Sequence, residues 1–300
     1  MKRPVLFLLL IFVALLTACL DFERETITFR HDAKTDTLRL FHVYHGIFGA
    51  EGQPSLSEQE QTQLNDVLTN ERAFFFNNWI LEYNRPLIKE ALEKLRDPPE
   101  NADKPAALIA KEKKLLELLL ANVRVENGPF FYDANGQLCG AQRVTVQKIS
   151  EIVRAANEWI REELRRTAAN PETDDDEREA IRHSLAKAGE FLRLDGNRLA
   201  LRWPLTHENY KKSFGELADK ETQAVLGEFI AEGGHFAWER GEVFAHVGTT
   251  NQQPSKLTLR HHKKPYVPNA VPAVRARAKI LEKFDAVAAA KAFVETGKAP

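Results

Sequence analysis

Apolar and polar positions follow three different rhythms along this chain. Lys2 and Arg3 precede twelve apolar residues without a break, Val5 to Leu16. A spanning helix needs roughly 20 such residues, so the run has the length of a secretory h-region instead. Beyond it, residues 26–31 and 37–45 are rich in β-branched and aromatic side chains and flank Asp32-Ala33-Lys34-Thr35-Asp36, which predicts two strands and a turn. Ser57 and Glu60 stand at capping-box spacing and open a helix to about Thr69. The stretch 73–83, AFFFNNWILEY, carries no single period. Because Asn84-Arg85-Pro86 is a fresh helix start, it reads as a strand followed by a helix over 85–96. Leu87, Ala91, Leu92 and Leu95 give that helix one apolar face, and Asp97-Pro98-Pro99 stops it.

Asp103 and Pro105 open a further helix to about Ala121. Residues 123–126 and 130–132 read as strands, and Asp133-Ala134-Asn135-Gly136 turns the chain into another strand over 138–146. A long helix follows over 147–167, with Ile149, Ile152, Val153, Ala156, Trp159, Ile160 and Leu164 at helical spacing. Residues 170–176 form the best linker candidate and mark a place for subdivision. Their acidic run suits a helix N-terminus and lacks the alternating ligands and sharp-turn glycine of a calcium loop. Residues 191–194 and 198–203 flank Asp195-Gly196, a hairpin signal. A two-residue turn there puts Leu192, Leu194, Leu199, Leu201 and Trp203 on one face and Arg193, Arg198 and Arg202 on the other. Thr206 caps a helix to about Ala231, strands surround Arg240-Gly241, residues 256–260 add another, and an amphipathic helix over 274–295 closes the chain. No internal repeat is present. Strands arriving in hairpins, with helices between them and no regular strand–helix–strand beat, predict an α+β fold.

The apolar run ends in Leu16-Thr17-Ala18-Cys19. This tetrad, behind a basic start and a twelve-residue h-region, resembles the lipobox of bacterial lipoproteins; the resemblance covers about the first 20 residues. It implies a signal peptide over 1–18, cleavage before Cys19, and acylation of that cysteine on its sulfur and usually on its new amino group. Two or three acyl chains, at about 0.8 kcal/mol per buried methylene, hold a protein to a bilayer far more firmly than one. The expected partner is thus the lipid bilayer, through Cys19. By the same resemblance, Leu20 in place of an aspartate just after the cysteine points to the outer membrane over the inner one in a two-membraned cell, although an aspartate does stand one place later, at Asp21.

Cleavage would leave 282 of the 300 residues as an α+β domain and shift the formal net charge from −1 to −3. That balance offers nothing to nucleic acid. With 43% hydrophobic content and 18 phenylalanines the chain can fill a core. With Cys19 acylated, Cys139 is the one thiol remaining, so no internal disulfide is available.

Candidate chemistry is sparse. The chain has no GxSxG, HExxH, Walker, Rossmann or CxxC motif, and no cofactor is implied. His42 and His45 lie three apart on a strand and so face opposite ways. Cys139, beside Gly140, reads as a packed thiol, because a nucleophile needs a positioned base and a lowered pKa. The Arg193, Arg198 and Arg202 stripe is a candidate for an anionic envelope polymer, with a solvated face paired to acidic neighbours as the plainer reading. If Arg240-Gly241 is a two-residue turn, Glu239 faces Glu242, Trp238 faces Val243, Phe236 faces Ala245 and His235 faces His246. Phe236, Trp238, Val243 and Ala245 then form the core side, with the two histidines together on the other. Cross-strand Cβ atoms about 4.5 to 5.5 Å apart could let them share an ion. A third ligand would come from elsewhere, such as His261 or His262, since Glu239 and Glu242 lie roughly 13 Å along the strands.

Two functions from different classes are expected from these features. One is a noncatalytic lipid-anchored envelope protein, structural or binding, with an envelope polymer or membrane protein as partner. The other is a tethered envelope hydrolase using a carboxylate and a histidine. In either case strand signal by Thr26 leaves some six residues after Cys19, which keeps the domain within about 20 Å of the lipid surface.

Overall fold

The computed structural model describes residues 21–49, 57–69, 71–75, 81–95, 104–187, 189–203, 234–239, 242–251, 253–260 and 280–298, together with 211, 223, 227, 230 and 231. Residues 1–20, Cys19 among them, His261, His262 and most of the helix expected over 206–231 lie outside them. The described residues form an α+β fold of two compact units that the chain visits in turn. One combines residues up to Leu87 with Asn122–Gln147 and the chain from Lys256 onward; the other combines Ile88–Ala121 with Lys148–Ser255.

In the first unit, β1 (Asp21–Asp32) and β2 (Thr37–Phe48) make a long hairpin that is closed by the predicted turn. The strand begins five residues earlier than its β-branched content announces. Phe22, buried and edge-on to the Tyr44 ring, extends the pairing to Asp21 opposite Phe48. β5 (Val123–Tyr132) and β6 (Leu138–Gln147) make a second hairpin. The two strands expected before its turn are one, with a register shift between Asn127 and Phe130. With β11 (Ser255–Arg260) and β12 (Ile280–Leu281) these give a six-stranded sheet of order β11-β1-β2-β6-β5-β12, in which β1, β2, β6 and β5 pair antiparallel in turn and β12 runs parallel to β5. α6 (Ala286–Thr296) packs Ala289, Ala290, Phe293 and Val294 on Phe41, Val43, Phe131, Cys139 and Ala141 of that sheet.

The helix expected from residue 274 begins only at Ala286. The Asp285 carboxylate accepts from the Ala288 N–H and caps it there, while residues 280 and 281 pair as β12. At the far end Gly297, at φ +72, returns its N–H to the Phe293 carbonyl, a left-handed conformation that glycine adopts without strain. α1 (Glu58–Thr69) carries the predicted capping box: the Glu60 carboxylate accepts from Ser57 N at 2.6 Å and Glu60 N donates to Ser57 Oγ at 3.3 Å. The stretch expected as a single strand supplies two, β3 (Arg72–Phe75) and β4 (Leu81–Asn84), which pair with each other, and α2 (Arg85–Lys94) follows as expected.

In the second unit, α3 (Ala106–Asn122) is tied to α4 (Ile149–Ala169) by Lys111–Glu162 and Lys114–Glu158 ion pairs. α5 (Asp175–Ala186) returns against α4 through Leu164, Ala168, Ile181 and Phe191. The expected subdivision near 170–176 therefore falls inside a unit. Arg178 donates to the carbonyls of Asn170, Pro171 and Thr173, and Asp174 caps α5, so the stretch is a pinned corner between packed helices. Asn157, buried in the middle of α4, donates to the Leu192 carbonyl at 2.8 Å and accepts from Phe191 N at 2.7 Å. It thereby docks the start of β7 (Leu192–Asp195) on the helix.

β7, β8 (Asn197–Trp203), β10 (Glu242–Thr249) and β9 (Gly234–Glu239) complete an antiparallel sheet in that order. Asp195 pairs with Arg198, so the turn residues are Gly196 and Asn197, one place later than expected. Gly196 at φ +61 takes the positive-φ first position of a II′-type turn. The slip moves both partners together, so the predicted faces survive.

Candidate functional site

The register expected for β9 and β10 holds throughout: Glu239 pairs with Glu242, Trp238 with Val243, Phe236 with Ala245 and His235 with His246. β8 pairs alongside, with Arg202 opposite Phe244 and Ala200 opposite His246. Alternation then puts Arg193, Arg198, Arg202, His235, His246, Glu239, Glu242 and Asp195 on one face of one sheet. The two groups that the sequence offers separately, the arginine stripe and the histidine pair, belong to a single polar cluster.

Both faces of this sheet carry buried residues, where the sequence predicts a core side and an open side. Val243 is buried on the apolar face, but Phe236 and Ala245 are half-buried and Trp238 is 38% exposed. The polar face holds Ala200 and His246 at 0%, Arg202 at 2% and Glu242 at 5%. α5 and Phe191 account for part of this. The Arg202 guanidinium lies 4.0 Å from the Phe191 ring centre, donates to the Ser184 carbonyl at 3.1 Å and meets Glu242 at 3.3 Å. The Ser184 hydroxyl completes the knot by donating to Glu242 at 3.2 Å. Burial holds the Arg202 guanidinium below its ordinary range, against the opposing pull of Glu242.

The remaining arginines are also matched from within. Arg198 meets Asp195 at 3.2 Å, while Arg193 lies 3.8 Å from Asp195 and 3.6 Å from Glu239, its guanidinium over the Phe244 ring. Three arginines thus stand among three carboxylates. An anion entering here would have to displace a carboxylate already in place.

Glu239 is the residue that strand spacing places out of reach and the structure brings in. Its side chain crosses the face so that Oε1 lies 3.0 Å from His246 Nε2. The imidazole therefore carries its proton on Nε2 and donates it, which leaves Nδ1 as a buried acceptor with no hydrogen-bond partner among the described residues. Burial lowers the His246 pKa below the usual histidine range, outweighing the opposite effect of Glu239. His235, exposed, stacks on His246 with ring centres 4.7 Å apart and planes 22° from parallel. Imidazole lone pairs lie in the ring plane, so two near-parallel rings aim past each other. This geometry does not converge the pair on one ion, and among the described residues no three metal-ligating side chains gather.

In the other unit, His42 and His45 do face opposite ways. His42, fully buried, lies 3.3 Å from the Tyr44 hydroxyl, which donates to Gln142; Gln142 donates to Asn127 and to the Arg72 carbonyl. Burial drives His42 down to about 3. His45 contacts the Cys139 sulfur at 3.9 Å, a neighbour that strand spacing alone did not supply. The contact does not activate the thiol. Burial pushes Cys139 up to about 11 and His45 down to about 4, the reverse of the ion-paired thiolate that a nucleophile requires. A small apolar cleft, lined by Tyr44, Ile47, Leu64, Phe130 and Gly140, has room for about one water molecule.

Compared with known proteins, the chain matches no family model, no curated protein and no solved structure.

Proposed function

We propose that this protein is a lipid-anchored component of a bacterial cell envelope, held to the outer membrane by acylated Cys19, and that its folded part works by binding and not by hydrolysis. The observation that carries the reading is Leu16-Thr17-Ala18-Cys19, in register behind a twelve-residue h-region and one residue short of Asp21, where β1 opens.

The choice of binding over hydrolysis rests on accessibility. A general base must reach the proton it takes. The His246 imidazole, although 3.0 Å from a carboxylate, is wholly buried, and the Cys139 thiol is buried and pushed up to about 11. Both the imidazole and the thiol sit inside the packing. Partners are an envelope polymer or a membrane protein at the lipid surface.

Replacing Cys19 with Ser tests the anchor. The full-length variant should move from the membrane fraction to the soluble fraction and lose the mass of its acyl chains. Unchanged membrane fractionation would sink the proposal.

A further inference from the structure

Val287 is 77% exposed in the first turn of α6, away from the face that Ala289, Ala290, Phe293 and Val294 bury on the sheet. The sheet explains its position. β1 starts at Asp21 and β2 ends opposite it at Phe48; β6 starts and β5 ends at the same edge, with Tyr132 pairing Leu138. β12 runs parallel to β5 and so delivers residues 282–285, and then α6, to that edge. The Gln137 amide donates to the Glu23 carboxylate at 2.8 Å, tying the β5–β6 turn to β1 there. One end of the six-stranded sheet therefore gathers the start of β1, the exposed turn at Ala134, Asn135 and Gly136, exposed Glu282 and Lys283, and Val287.

We propose that this end is the bilayer-facing surface of the protein and that it rests in the headgroup layer. The inference builds on the lipid-anchor reading. Cys19 precedes Asp21 by two residues, a covalent reach of about 7 Å, too short for the opposite end of the sheet to meet the lipid first. That opposite end, the β1–β2 turn at Ala33, stands roughly 36 Å away along β1 at about 3.3 Å per residue. The surface carries Asp21, Glu23, Asp133, Glu282 and Asp285 against Arg24 and Lys283. It therefore suits the ammonium groups of zwitterionic headgroups and draws no attraction from anionic lipid. Val287 supplies the apolar contact.

The test uses the full acylated chain in phosphatidylcholine vesicles that contain a headgroup-spin-labelled lipid. A bimane is placed on Ala134→Cys, on Val287→Cys or, as the distal control, on Ala33→Cys. Ala134 and Val287 are exposed, as is Ala33, and Cys139 is buried and takes no label in the native chain. The Ala134→Cys and Val287→Cys labels should lose more than about half their emission, and the Ala33→Cys label almost none, given the roughly 36 Å between the two ends. If the acylated, vesicle-bound protein is quenched alike at all three positions, or most at position 33, the orientation is overturned while the anchor stands. If the chain carries no acyl group and stays off the vesicles, the anchor fails and this surface with it.

Discussion

Removing the Glu242 carboxylate should unfold the second unit far more readily than removing both halves of its ion pair. Arg202 and Glu242 are 1% and 7% exposed at their side chains and 3.3 Å apart. In Glu242→Ala the guanidinium stays charged, enclosed by Phe191 and the Ser184 carbonyl, with no counter-charge at 3.3 Å. Breaking a buried pair from one side costs about 3–5 kcal/mol, a large part of the 5–15 kcal/mol that holds a typical domain folded. Replacing the pair with apolar groups of similar volume, Arg202→Met with Glu242→Leu, removes the stranded charge and the desolvation cost together. The double variant should lie within about 2 kcal/mol of the parent or above it. Urea unfolding followed by tryptophan emission measures this in the right place, because Trp159, Trp203 and Trp238, three of the four tryptophans, belong to this unit. A single variant that loses less than about 1 kcal/mol would mean the pair is screened like a surface bridge. A double variant as weak as the single one would show that the charge is not what the knot accommodates.

Acid should weaken the six-stranded unit through its histidines. The unfolded chain takes up a proton near the ordinary histidine pKa of 6.5, while buried His42 resists one until about pH 3. The stabilisation is therefore whole above pH 6.5 and is lost as pH falls through that interval, at about 1.4 kcal/mol per pH unit. His42→Phe should flatten the stability profile between pH 6.5 and 4.5 by that slope, and an unchanged slope would refute the account. Cys139, with its thiol at about 11, should resist iodoacetamide at mildly alkaline pH in the native chain and react once the chain is unfolded. Ready native labelling would show an accessible thiolate.

What the sequence made legible was local. The capping box at Ser57 and Glu60, the hairpin turns at 32–36 and 133–136, and the strand–helix switch at Asn84-Arg85-Pro86 each specify structure within a few residues, and each formed. The β9–β10 register followed from one turn assumption and ran correctly over every pair. What escaped were features set by partners distant in sequence. Nothing within 191–203 announces that β8 will lie beside β10, and without that pairing Arg202 has no Glu242. The 170–176 corner looked like a linker because Arg178, which pins it, resembles any other helical arginine. The early start of β1 was hidden because Phe22 stands among charges, and its burial depends on Tyr44 from the next strand.

The polar face of the four-stranded sheet shows why a correct register can still misplace a site. Pairing fixes which side chains are neighbours, but whether the face meets water depends on what packs over it. Here the overlying groups include Phe191 and Ser184, both brought in by α5 and the corner after it. Once the face is covered, each charge needs a partner nearby, because an unpaired buried charge costs several kcal/mol. Glu239 reaches across to His246 and Arg193 while its side chain stays 39% exposed. The residues that suggest a metal or anion site in print are thereby engaged with one another. On this sheet the exposed side chains include the His235 ring, which stacks on the enclosed His246. A binding partner of this unit is better sought at the exposed His235 ring than at the arginines beside it.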